Sequence, residues 1–122
     1  MNAETQIYDA LRLHAGITAI VGTGAAARIH PDFLAQEIIL PAIVYQRAGT
    51  EYVTTIHTNA VLAARVALEV WCLHKTRKDA ETLADLVEAA IISTELRPVG
   101  RRPEFDPETE TFSAVIALET WQ

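Results

Sequence analysis

ALEVW at residues 67–71 and ALETW at residues 117–121 repeat one pattern fifty positions apart, and the reading of that echo decides the fold. The flanks exclude duplication. VLAARV precedes the first copy and CLHKTRKDAE follows it, whereas ETFSAVI precedes the second. Solenoids and propellers need at least three copies at a fixed period, and only this pair is present. Strand physics explains it instead. From 61 to 73 the period is two, so Val66, Leu68, Val70 and Cys72 point one way while Arg65, Ala67, Glu69 and Trp71 point the other. Two strands of one sheet then turn Leu68 and Leu118 toward a helical layer and Glu69, Trp71, Glu119 and Trp121 to the opposite face.

Working outward, KTRKDAETLADLVEAAI switches to a helical period: Ala80, Leu83, Val87, Ala90 and Ile91 form a stripe, and Thr76 to Asp79 has capping-box spacing. Arg97 to Phe105 begins a last hairpin, DPETE turns it and FSAVIALETW returns. Upstream, AIVYQR at 42–47 reads as a strand, because β-branched and aromatic residues crowd between Pro41 and Gly49. The polar TEYVTTIHTN, residues 50–59, reads as a hairpin loop or the extended end of a hairpin. Residues 3–15 read as a first helix, with Ile7, Ala10, Leu11 and His14 at helical spacing and Gly16 as its stop. A short helical turn capped by Thr18, a GTGAAA loop and an irregular segment punctuated by Pro31 and Pro41 follow. The expectation is a single α+β domain over 1–122, a mostly antiparallel sheet of about four strands with two main helices on one face.

The totals narrow function. A chain of 122 residues supports a core without metal or disulfide staples, and a net charge of -6 has the wrong sign for gripping nucleic-acid phosphates. Cys72 is the single cysteine, which excludes an internal disulfide. MNAETQ lacks the basic region that opens a secretory signal, and AVLAARVALEVWCL, broken by Arg65 and Glu69, falls short of a membrane span. A cytoplasmic site of synthesis is expected, with no membrane partner.

Catalytic patterns are sparse. His14, His30, His57 and His74 never adopt zinc-ligand spacing. Cys72 has core-facing parity, where burial makes a thiol inert. Neither Ser93 nor Ser113 lies in a GxSxG elbow. VGTGAAAR completes no phosphate-loop motif, and the HPD of residues 30–32 follows GTGAAARI rather than the long basic helix of a J domain. Glu69 and Glu119 have the residue types of an acid and base pair, but solvated or interface charges paired with Arg65 or Arg47 are the simpler reading. Two tryptophans turned away from the helices form an exposed patch unless another chain covers them. No catalytic residue, metal or cofactor is expected.

IYDAL at 7–11, Gly22 followed by RIHP at 28–31, LPAIVYQ at 40–46, VALEVW at 66–71 and AETLADLVEAAI at 80–91 together resemble the small tail-completion, or tail terminator, proteins of long-tailed bacteriophages and prophages. The resemblance spans nearly the whole chain in order, with TGAAA inserted between Gly22 and Arg28. It implies a structural α+β subunit of a hexameric ring that caps the tail tube, stops its polymerisation and joins tail to head. The implied partners are further copies, the tail-tube protein and a head-completion or neck protein, with DNA passing through the lumen without specific binding. Candidate interface residues are Arg47, Tyr52, Thr54, Glu69, Trp71, Glu119 and Trp121. A head-side neck protein and a small enzyme or ligand-binding domain are the alternatives.

Overall fold

A computed structural model describes residues 3–24, 27–32, 39–54 and 61–121. The period-two segments that frame the echo become the two central strands. β3 (Val61–His74) lies between β2 (Ala42–Thr54) and β5 (Thr111–Trp121), both antiparallel to it. Leu68 stands directly opposite Leu118, Val70 opposite Ile116 and Cys72 opposite Ala114, and all six are buried. Their side chains meet α1 (Ala3–Arg12), α2 (Ala15–Val21) and α3 (Arg77–Ile91) in one apolar core that includes Ile7, Leu11, Ile17, Leu83 and Val87. Burying each such leucine or isoleucine contributes about 1.5–3 kcal/mol. β1 (Ile29–Pro31) and β4 (Arg97–Asp106) complete a five-stranded sheet in the order β1-β2-β3-β5-β4.

The α+β class is as expected, and the additional strand is β1. It pairs parallel to β2, with Ile29 opposite Ile43 and Pro31 opposite Tyr45. Arg28 explains how RIHP and LPAIVYQ cooperate at a distance. Its guanidinium donates to the carbonyls of Pro41 at 2.7 Å and Ile20 at 2.9 Å, while its backbone carbonyl accepts from Ile43 at 2.9 Å. One side chain thus ties the end of α2 to the starts of β1 and β2.

The N-terminal helices depart from expectation. The first ends at Arg12, and Gly16 lies inside α2 rather than stopping α1. His14, not Thr18, caps α2, its Nδ1 accepting from the Ile17 amide. A Cβ at Gly16 would stand 3.1 Å from the His14 ring and 3.2 Å from Leu86 Cδ2, so glycine serves close helix packing there. Gly22, at φ 97°, closes α2 in a conformation that favours glycine. At α3 the Thr76 hydroxyl accepts from the Asp79 amide, the expected cap.

Candidate assembly interface

Alternation carries Glu69, Trp71, Glu119 and Trp121 to the face turned away from the helices, as expected from the opening echo. That face is a grid of charges instead of a bare aromatic patch. Glu119, whose side chain is 14% exposed, sits between Arg65 and Arg97, and Arg65 also reaches Glu51. One row further, Glu69 accepts from Gln46 at 3.2 Å and from Arg102 at 2.9 Å, while Arg102 also donates to Glu104 at 3.1 Å. Four strands contribute to these rows. Exposed ion pairs each stabilise by only about 0–1 kcal/mol, so the grid fixes orientation more than it holds the fold.

The two tryptophans differ sharply in their surroundings. Trp71 packs against Ala42, Val44 and Leu73, lies under the Arg102 guanidinium at 5.5 Å, and has its indole nitrogen buried without a hydrogen-bond partner. It belongs to a small second core on the outer face. Trp121, at the end of β5 opposite Arg65, is 59% exposed. The expectation of an aromatic open to solvent holds for Trp121 and not for Trp71.

Other candidate residues scatter. Arg47 lies on the helix side opposite Leu68 and forms a two-pronged pair with Glu4 of α1, at 2.7 and 2.9 Å, leaving the outer-face glutamates to other arginines. This pairing, opposed by partial burial, holds the Glu4 carboxyl below its usual range. Tyr52 shares the helix-side parity of Arg47 but is 61% exposed, and Thr54 ends β2 opposite Val61. The stretch 50–54 is therefore the extended end of the β2–β3 hairpin, whereas 55–60, with His57, lie outside the described residues.

Along the β4 edge, Pro98 and Pro103 remove two backbone donors and Val99 is an extra residue in the register. At the other edge, β1 is three residues long. Both features discourage strand addition at the sheet edges. Arg101, on the helix-side parity, clamps β4 to α3 through Glu81 and Asp85. Burial works against its charge, but those two hydrogen-bonded carboxylates outweigh it and raise the guanidinium pKa.

Residues with chemical potential are dispersed. Burial pushes the Cys72 thiol far above its usual range, which keeps it protonated. His14 caps α2, His30 lies in β1 and His74 ends β3, its Nδ1 accepting from the Lys75 amide. Glu69 and Glu119 are held by separate arginines. Among the described residues, no group of three His, Cys, Asp or Glu side chains is placed to hold a metal, and no helix is long and apolar enough to cross a membrane.

Comparison with known proteins decides the family. The profile described as "Tail completion protein gp17" matches residues 5–122. The chain belongs to the tail completion protein gp17 family. It is a structural protein of phage-like particles, and its assembly with other virion proteins follows from that membership. A chain from the solved structure titled "Virion of native gene transfer agent (GTA) particle" shares the fold, with a TM-score of 0.68 and 12% identity over 96% of this chain and 91% of that one. Comparison with curated protein sequences gives no match. For a tail completion protein, Arg97 and Arg102 are the outer-face arginines that the sequence reading left out, whereas Arg65 does pair with Glu119 as expected. Arg97 and Arg102, five residues apart, reach the same face only because of the register shift between Pro98 and Gly100, which sets them opposite Glu119 and Val115.

Proposed function

We propose that this chain is a tail terminator: a ring of its copies, six in the family resemblance, caps the tail tube at the head-proximal end, stops tube polymerisation and offers the surface that joins tail to head. The observation that carries the reading is the uncovered end of the sheet. There Trp121, Tyr52 and Val53 are exposed on a chain whose residues 5–122 match the tail completion family. Large side chains left open at one end fit a subunit that completes its surface in an assembly. The net charge of -6 fits a lumen through which DNA passes without adhering. Glu69 and Glu119 contribute little to that repulsion, since arginines neutralise both.

Deleting the gene tests the reading. Filled heads without tails, together with tubes of uncontrolled length, are expected under electron microscopy. Normal-length tails lacking heads would instead favour a head-side neck protein, and normal particles would overturn both assignments.

A further inference from the structure

We draw no further inference here: the strongest candidate, the surface at the end of the β4–β5 hairpin where exposed Phe105 packs on Phe112 and Arg77 lies over the latter ring, joins exposed basic residues (Lys75, Lys78) to an exposed acidic turn (Asp106, Glu108, Glu110) on one copy, and nothing in the structure shows what covers it.

Discussion

Leu68 and Leu118 on one side of the sheet, and Trp71 and Trp121 on the other, come from the same two pentapeptides and meet opposite fates. The leucines pair across β3 and β5 inside a core sealed by three helices. The tryptophans split: Trp71 anchors a small apolar cluster, while Trp121 stands open at a position paired in register with Arg65. Alternation alone assigns faces. What covers a face is decided by other elements, and at the Trp121 end no described element does so.

Truncation inside the core should have the largest effect. Leu68→Ala or Leu118→Ala is expected to lower stability by about 2–5 kcal/mol in urea unfolding, since each leaves a cavity among packed side chains. A loss well under 1 kcal/mol would break the distinction between the faces. Trp71→Glu is next, at about 2–4 kcal/mol, because it places a carboxylate against Val44 and Leu73 beside Glu69. A melting temperature equal to the parent's would show that the outer cluster contributes nothing to the fold.

Clamps between layers matter less. Arg101→Ala removes one partly exposed cation from three carboxylates and should cost about 1 kcal/mol, with α3 amides exchanging faster. The Arg47–Glu4 pair should contribute under about 1 kcal/mol, given that both side chains are about a third exposed. Its sign follows from the lowered Glu4 pKa. The contribution is fully present above the ordinary value of 4.5 and disappears as pH falls through the lower folded value. Comparing Glu4→Gln with the parent should therefore show a stability gap at pH 7 that closes in acid. A gap that widens in acid would reverse the assignment.

The parts of the fold legible in the sequence are those set by local period. The long central strands and α3 follow from alternation, a helical stripe and the Thr76 cap, all contained within short windows. β1 is hidden because its three residues gain strand character only from a parallel partner fourteen positions away. α2 was misjudged at its start, since a histidine ring in place of a hydroxyl or carboxylate supplies its cap. The outer-face grid was half visible. Glu69 and Glu119 could be assigned a face and Arg65 named as a partner, as it is for Glu119, but the partners Arg97 and Arg102 depend on the register of β4, shifted by the extra residue Val99. The same limit separated Arg47 from the glutamates: its face is fixed by the β2–β3 register and its partner by α1.

The claim at the centre of this account is that the inner face folds the subunit and the Trp121 end assembles it. Trp121→Glu tests it most directly, with thermal unfolding of the isolated chain and rescue of gene-deficient particles measured on the same protein. Unfolding within about 0.5 kcal/mol of the parent, as for an exposed surface change, together with loss of rescue, is the predicted result. A subunit that unfolds as readily as Leu68→Ala, or one that rescues assembly fully, would contradict the claim.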